Sequence, residues 1–131
     1  LRVCGVNRQV RDCTYAQLQE YKLFGSNERI PTLREFLEMV DGRVPLIVEF
    51  KSEDTDMTLC RIIDPMLKAY KGVYCIESFN PLVLFWYRIH RPGVMRGQLS
   101  MNFLKAKERE HLPIIYFALH HLLFNFLTKT F

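Results

Sequence analysis

The sequence VPLIVEFK, residues 44–51, decides the fold of this chain. Its apolar run is rich in β-branched residues, which is typical of a strand covered on both faces in a parallel sheet. Because side chains alternate along a strand, Ile47, Glu49 and Lys51 share one face. We therefore predict a buried strand that ends in a carboxylate and an ammonium group on the same side.

Glu49 and Lys51 need a reason for standing at the end of such a strand, because Glu and Lys are rarely buried without a partner. In parallel α/β architectures the carboxyl ends of the strands are where ligands bind. One interpretation is therefore that Glu49 binds a metal ion and Lys51 neutralises an anionic substrate. The other is an ion pair at a strand end, and these residues alone leave both open.

The composition is that of one soluble globular domain. The chain has 131 residues, of which 49% are hydrophobic and 24% are charged, and a chain of this length can bury a sizeable core. The net charge of +4 is modest, and the Lys and Arg residues are spread along the chain rather than gathered in one run. We therefore expect no nucleic-acid partner, although the basic pI leaves a nucleic-acid-binding α/β domain open as a third interpretation.

The cysteines indicate a reducing compartment. Cys4, Cys13, Cys60 and Cys75 show no CxxC or other zinc-ligand spacing. Cys60 and Cys75 lie within apolar patterns, where a free thiol behaves as a small hydrophobic side chain. We interpret all four as reduced and structural, and the location as cytoplasmic. Because the chain begins with Leu1 and no signal or transit-type segment precedes the globular pattern, we expect that it is cut at its start.

Two helices are predicted before the strand. Residues 14–22 can form a short helix with an apolar face. Thr32, with Glu35 three residues later, forms a capping box that opens a second helix, and an apolar stripe at helical spacing carries this helix to Val40. Gly42 can take the left-handed conformation that ends it.

The pattern after residue 51 alternates between helices and strands. We predict a helix over residues 57–70, capped by Asp54 or Asp56 and kinked or broken at Pro65. A second strand covers residues 73–79. Asn80-Pro81 is a specific start signal for a helix that runs to about Ile89. A third, shorter strand covers residues 94–99.

This alternation predicts an α/β fold with about three parallel strands joined by right-handed crossovers. Three strands cannot close a barrel, and an open parallel sheet of three strands leaves two bare edges. A TIM barrel, (β/α)8, typically takes about 250 residues. We therefore interpret the chain as a partial TIM barrel.

The last segment, residues 114–127, is apolar almost all round. It falls short of the roughly 20 residues that span a bilayer, and it is interrupted by His120, His121 and Asn125. Two interpretations remain: peripheral contact with a membrane surface, or a helix packed against parts of the protein outside this chain.

Four short stretches together resemble the bacterial type of the glycerophosphodiester phosphodiesterase family. They are RDCTYAQL (residues 11–18), IPTLREFL (30–37), PLIVEFK (45–51) and IESFNP (76–81). The resemblance covers nearly the whole chain and corresponds to the central and C-terminal portion of the family's domain. It implies that residues 1–131 are an incomplete (β/α)8-barrel domain. The implied activity is hydrolysis of glycerophosphodiesters to glycerol 3-phosphate and an alcohol, with one divalent cation, usually Ca²⁺ or Mg²⁺.

The resemblance also implies roles for individual residues. Glu49 matches the family's Glu-x-Lys carboxylate that completes the metal site, and Lys51 matches the lysine that contacts the substrate phosphate. Phe79 ends its strand and is a candidate for flanking the glycerol of the substrate, or else an aromatic plug of the core. Glu77 shares the face of Phe79 and either lines the site or pairs with Lys51 or an arginine.

The family's other catalytic and metal-binding residues have no counterpart in this sequence. A His-Arg pair, a Glu-x-Asp pair and a His-Asp pair would lie upstream, and no histidine occurs before His90. We therefore expect the isolated chain to be inactive. The alternative function is a non-catalytic half-barrel that serves as an interaction or membrane-surface module.

Other polar residues are interpreted as structural or solvated. His120 and His121 would point about 100° apart on a helix, which makes a poor metal pair. His90 and His111 lie beside charged residues without a supporting constellation. Three arginines, Arg88, Arg91 and Arg96, form a loose basic group that we interpret as a solvated rim.

Overall fold

The computed structural model describes residues 3–52 and 55–99. It divides the chain into two compact units, Leu1–Val40 and Asp41–Phe131. The assignment of all 131 residues to a single catalytic domain stays a prediction. Residues 100–131, which contain His111, His120 and His121, lie outside the described residues, so the interpretations of residues 114–127 stay open.

The first unit contains a short 3-10 turn at Val10–Asp12 and two helices, α1 (Tyr15–Glu20) and α2 (Leu33–Val40). Both helices begin with a capping box. For α2, the backbone N–H of Glu35 donates to the Thr32 hydroxyl over 3.2 Å, and the N–H of Thr32 donates to the Glu35 carboxylate over 2.7 Å. These two bonds satisfy donors that a helix start would otherwise leave unpaired. The predicted start of α2 is confirmed.

The second unit begins with a left-handed turn. Asp41 and Gly42 have φ angles of 45° and 72°, a region that favours glycine. A Cβ atom on Gly42 would also come within 3.2 Å of the backbone nitrogen of Gly72. Gly42 is therefore required both by the turn and by a close approach of two backbone segments, and the predicted end of α2 is confirmed.

The rest of the second unit alternates strands and helices. Its elements are β1 (Leu46–Phe50), α3 (Thr58–Ala69), β2 (Tyr74–Ser78), α4 (Pro81–His90) and β3 (Met95–Gln98). The strands form one parallel sheet in the order β1-β2-β3. The predicted α/β fold, with three parallel strands alternating with helices, is confirmed.

Helices α3 and α4 cover the same face of the sheet. The ring of Tyr87 on α4 lies 5.4 Å from the ring of Phe50 on β1, measured between centroids. Tyr87 also lies within electrostatic range of Cys60 and Asp64 on α3. The buried side chains of this layer include Leu67, Ile76, Val83 and Leu84, each 0% exposed.

The opposite face of the sheet is open within the described residues. Ile47 on β1 is 71% exposed and Met95 on β3 is 61% exposed. The prediction of a strand covered on both faces is therefore wrong for this part of the chain, because both crossover helices pack against the same side. An apolar run alone does not show which of its faces a neighbouring element covers.

The two helix starts of the second unit differ. At α4 the Asn80 side chain accepts from the backbone N–H of Leu82 over 3.0 Å, with Pro81 in the first turn, as predicted. At α3 the N-cap residue is Met57, in a left-handed conformation without a side-chain cap. The Asp56 carboxylate instead accepts from the N–H of Thr58 over 3.0 Å. A kink or a broken turn was predicted at Pro65; α3 is continuous through that residue, so the broken turn is wrong.

Candidate functional site

Glu49 and Lys51 lie at the carboxyl end of β1, on the face that the helices leave open. The Nζ atom of Lys51 is 2.5 Å from Oε2 of Glu49, and the two side chains are 76% and 32% exposed, respectively. Residues two apart on a strand are separated by roughly 6.6 Å, so the long lysine side chain folds back to reach the carboxylate. The predicted shared face is confirmed, and the pair itself matches the strand-end ion pair that the sequence left open.

Glu77 brings a second carboxylate to the same face. It stands beside Glu49 in the register of β1 and β2, and Gly97 of β3 stands on its other side. A Cβ atom on Gly97 would come within 3.1 Å of Cγ and 3.2 Å of Oε1 of Glu77. The Glu77 side chain therefore lies over Gly97, where a larger residue would displace it.

Among the described residues, this face brings together the carboxylates of Glu49 and Glu77 and the ammonium of Lys51. Neighbouring strands are about 4.8 Å apart, and like charges on adjacent strands repel. The ammonium of Lys51 offsets part of that repulsion. Burial, together with the nearby charge of Glu77, raises the pKa of the Cys75 thiol two residues earlier on β2. This arrangement can hold a small hard cation through carboxylate oxygens, or an anionic group through Lys51.

The described residues supply only part of a metal site. Across residues 3–52 and 55–99 no group of three His, Cys, Asp or Glu side chains comes close enough together to hold a metal ion. Glu49, with Glu77 beside it, provides carboxylate oxygens of the kind that Ca²⁺ and Mg²⁺ prefer. Any further ligands would come from elsewhere in the protein.

The ends of the three strands are tied together by side-chain hydrogen bonds that the sequence did not predict. The buried Ser78 hydroxyl donates to the carbonyl of Phe50 over 2.8 Å and accepts from the N–H of Asn80 over 3.0 Å. The Asn80 amide donates to the carbonyl of Ser52 over 3.1 Å. The segment that carries Glu49 and Lys51 is therefore held at Phe50 and at Ser52.

Gln98 closes the same network from β3. Its side-chain amide donates to the carbonyls of Ser78 and Phe79, each over 3.2 Å. Its Oε1 atom is buried and has no hydrogen-bond partner among the described residues. The stretch Ser78-Phe79-Asn80-Pro81 was interpreted as a helix start and as part of the family resemblance, but not as a link between strand ends. The sequence signal for this network is a hydroxyl and two amides at or just after strand ends, which belong to Ser78, Asn80 and Gln98.

Phe79 directly follows β2 and is 38% exposed. Strand alternation places it on the open face with Glu77. The interpretation as a buried core plug is therefore not supported, and contact with a substrate stays a prediction.

The arginines do not form the predicted solvated rim. Arg91 donates from Nε to both carboxylate oxygens of Asp64, at 2.8 and 3.0 Å, and its NH2 lies 2.5 Å from Oδ2. Arg96 is 6% exposed, and its guanidinium donates to the carbonyl oxygen of Pro92 over 3.3 Å. Burial, with the nearby charge of Arg88, lowers the pKa of Arg96. Two of the three arginines are thus part of the fold, because backbone carbonyls and one buried carboxylate satisfy them.

Within residues 3–52 and 55–99, His90 and the four cysteines do not cluster with other metal-binding side chains. The His90 ring stacks on Trp86 at 4.1 Å, and its Nδ1 lies 2.8 Å from the Trp86 carbonyl oxygen. All four cysteines are free. Cys60 is fully buried, and burial raises its pKa to about 11. Its thiol is therefore protonated at neutral pH and packs as a small hydrophobic side chain.

Comparison of the chain with protein-family models, with curated proteins and with solved structures found no match in any of the three. A functional assignment therefore depends on the residues and geometry of the site.

None of the helices in residues 3–52 and 55–99 is long and apolar enough to cross a membrane. The cytoplasmic location stays a prediction.

Proposed function

We propose that this chain is the central-to-C-terminal part of a glycerophosphodiester phosphodiesterase with a (β/α)8 barrel. The reaction is metal-dependent hydrolysis of a glycerophosphodiester to glycerol 3-phosphate and an alcohol. The observation that carries the proposal is the position of Glu49, at the carboxyl end of β1 and on the face opposite the helices. A carboxylate that pointed among the helices or stood at the amino end of the strand would be incompatible with it.

The topology of the second unit supports the barrel. The strands follow one another in chain order, all parallel, with both helices on one face. One half of a doubly wound sheet shares this sequential order with its helices on one face, and its distinguishing feature is a reversal of strand order at a switch point, which the three described strands do not include. In a (β/α)8 barrel the helices form an outer ring, and the inner face is filled by layers of side chains. Ile47, Cys75 and Met95 stand in one such row across the open face, and Glu49, Glu77 and Gly97 stand in the next.

The polar residues of the open face support phosphodiester chemistry. Glu49 would be one ligand of a divalent cation, Ca²⁺ or Mg²⁺, and Glu77 stands beside it. When bound, the cation would supply positive charge against the phosphate oxygens, where charge builds up during hydrolysis. Lys51 would bind the substrate phosphate through its ammonium group and stabilise the same developing charge. Phe79, on the same face, would flank the glycerol moiety.

A second candidate is a half-barrel that has no catalytic role and serves as an interaction or membrane-surface module. It is favoured by the contact between Lys51 and Glu49, which satisfies both groups without a ligand. The position of His90 also favours it. His90 is the only histidine among the described residues, and its ring is stacked on Trp86.

Cation binding by the protein translated from the complete reading frame tests the site directly, because the described residues supply only part of it. Calorimetric titration with Ca²⁺ and with Mg²⁺ is expected to show binding that Glu49→Gln abolishes, because the substitution removes charge and keeps shape. Glu38→Gln is the matched control, since Glu38 is an exposed carboxylate on α2. Binding that survives Glu49→Gln would remove Glu49 from the site.

Hydrolysis separates the two candidates. The protein translated from the complete reading frame should release glycerol 3-phosphate from glycerophosphocholine, as measured by a coupled dehydrogenase assay. Glu49→Gln should abolish that release, and Glu38→Gln should leave it unchanged. A full-length protein that folds and binds the cation but hydrolyses no glycerophosphodiester would favour the non-catalytic module.

A further inference from the structure

The first unit contains a cavity that the proposed hydrolase does not use. Its volume is about 400 Å³, which lies within the roughly 300–1,000 Å³ of small-molecule sites. Every lining residue that the structure describes belongs to residues 3–30, so these walls come from the first unit alone. At about 30 Å³ per molecule of liquid water, the volume equals that of about a dozen waters. A ligand with about that number of non-hydrogen atoms therefore fits.

The walls of the cavity are mostly apolar. Half-buried aliphatic side chains form a large part of the lining: Val3, Val6, Leu18, Leu23 and Ile30. The free thiols of Cys4 and Cys13 also line it, and a free thiol packs as a small hydrophobic side chain does. Such walls favour a hydrocarbon ligand, because contact with them removes apolar surface from water.

Hydrogen bonds between distant residues hold the walls in place. The backbone N–H of Phe24 donates to the carbonyl of Val3 over 2.8 Å. The side-chain amide of Gln19, on α1, donates to the carbonyl of Ile30 over 2.9 Å. The cavity is therefore formed before a ligand arrives, which lowers the entropy cost of binding.

The mouth of the cavity carries one charge. Arg8 is the only charged side chain among the described lining residues, and Gln9 and Val10 beside it also line the cavity. All three are exposed, which places the mouth at residues 8–10. A hydrogen bond to the side chain of Tyr21, another lining residue, raises the pKa of Arg8. Asp12 contributes least to that increase and does not line the cavity. The mouth therefore presents a guanidinium that a tyrosine side chain holds in place.

We propose that this cavity binds an aliphatic carboxylate of about ten carbons, with the carboxylate on Arg8 and the hydrocarbon chain between the apolar walls. A guanidinium presents several N–H donors in a planar fork that matches the two oxygens of a carboxylate, and the bond to Tyr21 leaves some of these donors for a ligand. The single charge of a carboxylate also matches one guanidinium, whereas a phosphate monoester carries about −1.5 to −2 at neutral pH. This proposal goes beyond the proposed hydrolase and does not depend on it.

Cys4 and Cys13 report whether the cavity is occupied. A ligand between the walls would shield both thiols from an alkylating reagent such as N-ethylmaleimide. When the ligand is present at about ten times its Kd, only about a tenth of the molecules have an open cavity, so alkylation of both should slow about tenfold. Cys75, on β2 in the second unit, is half-buried like the other two and is the control within the same molecule.

The experiment uses the protein translated from the complete reading frame and decanoate below the concentration at which it forms micelles. Calorimetric titration should show binding of decanoate. Decylamine should bind about tenfold more weakly or worse, because its ammonium would face Arg8. Mass spectrometry of the alkylated protein should show that decanoate protects Cys4 and Cys13 and leaves the reactivity of Cys75 unchanged.

Variants of Arg8 test its part in the binding. Arg8→Gln should weaken decanoate binding about tenfold or more, because a charge-assisted hydrogen bond is lost. Arg8→Lys keeps the charge without the planar fork, so it should retain part of the affinity. Arg11→Gln is the matched control, since Arg11 is an exposed arginine that does not line the cavity, and it should bind decanoate as the original protein does.

Four results would each overturn the proposal. They are no binding of decanoate, equal binding of decanoate and decylamine, binding that leaves Cys4 and Cys13 as reactive as before, and equal losses of affinity in Arg8→Gln and Arg11→Gln. The ligand comparison and the thiol measurement use the unaltered protein, so they decide the question even if a variant fails to fold. Circular dichroism shows which variants keep their helices.

Discussion

The ammonium of Lys51 lies 2.5 Å from the carboxylate of Glu49, two positions earlier in the chain. The pair stands at the carboxyl end of β1, on the open face of the sheet, beside Glu77 of the neighbouring strand. A cation that binds Glu49 must compete with Lys51 for the same oxygens. The lysine would then be released at the place where an anionic substrate would need it.

Removing the ammonium of Lys51 should remove this competition for the Glu49 carboxylate. In the protein translated from the complete reading frame, Lys51→Met should strengthen binding of Ca²⁺ by up to about fivefold. The limit follows because an exposed ion pair contributes at most about 1 kcal/mol. Calorimetric titration measures the change, and Lys22→Met serves as the control. Weaker binding in Lys51→Met would mean that the lysine supports the cation site rather than competing with it.

Ser78 is expected to be the most sensitive polar position near the strand ends. Ser78→Ala should lower the free energy of unfolding by about 1–3 kcal/mol, because the carbonyl of Phe50 and the N–H of Asn80 would lose a buried partner. Urea denaturation should show a lower midpoint with an unchanged slope. Ser26→Ala, at an exposed turn, should change the midpoint little. Equal stability of Ser78→Ala and the original chain would show that these groups find other partners.

Gly97 and Glu77 are expected to be coupled. Gly97→Ala places a methyl group 3.1 Å from Cγ of Glu77 and forces that side chain to move. In a Glu77→Ala background the same substitution should instead be neutral or stabilising by about 0.5–1 kcal/mol, because glycine weakens a strand interior. A double-mutant cycle by urea denaturation measures the coupling. Identical effects of Gly97→Ala in the two backgrounds would contradict the placement of Glu77.

Removing only one partner of the Asp64–Arg91 ion pair should destabilise the folded protein. Arg91→Gln would leave the Asp64 carboxylate, only 6% exposed, without its guanidinium partner. We expect a loss of about 3 kcal/mol in the free energy of unfolding. Adding Asp64→Asn should restore part of that loss, since no buried charge then remains. Chemical denaturation of the two single variants and the double variant measures this, and additive losses would argue against a coupled pair.

Cys60 makes stability depend on pH in the alkaline range. Burial raises its pKa in the folded protein from 9.0 to about 11. The folded state therefore holds the thiol proton where the unfolded state has lost it. This contribution is complete below pH 9 and is lost as the pH rises towards 11, with a slope of at most about 1.4 kcal/mol per pH unit. Cys60→Ala should remove that part of the pH dependence. A Cys60→Ala variant with the same alkaline profile would show that the thiol does not contribute.

Features that depend on near neighbours in the chain were predictable from the sequence. The capping box of Thr32 and Glu35, the Asn80-Pro81 helix start and the stop at Gly42 each involve residues within a few positions of one another. Their hydrogen bonds form wherever the helix forms. The shared face of Glu49 and Lys51 follows in the same way from the two-residue period of a strand.

Features that depend on contacts between distant residues were not predictable. Nothing within residues 44–51 shows that α3 and α4 both cover one face and leave Ile47 open. Arg96 resembles any surface arginine until the loop after α4 brings its carbonyl oxygens to the guanidinium. Ser78 and Gln98 gain their roles only when β1, β2 and β3 end side by side.

The sequence by itself determined the order and type of the elements, and which residues alternate on each strand, because these depend on local backbone geometry and hydrogen bonds. The tertiary structure alone decided that Glu49, Glu77 and Gly97 stand in one row. That row depends on the register between strands, and its members are distant in sequence: Glu49 and Glu77 are 28 positions apart, and Glu77 and Gly97 are 20 positions apart. Burial and packing set this register across the whole unit, and no short stretch of sequence contains that information.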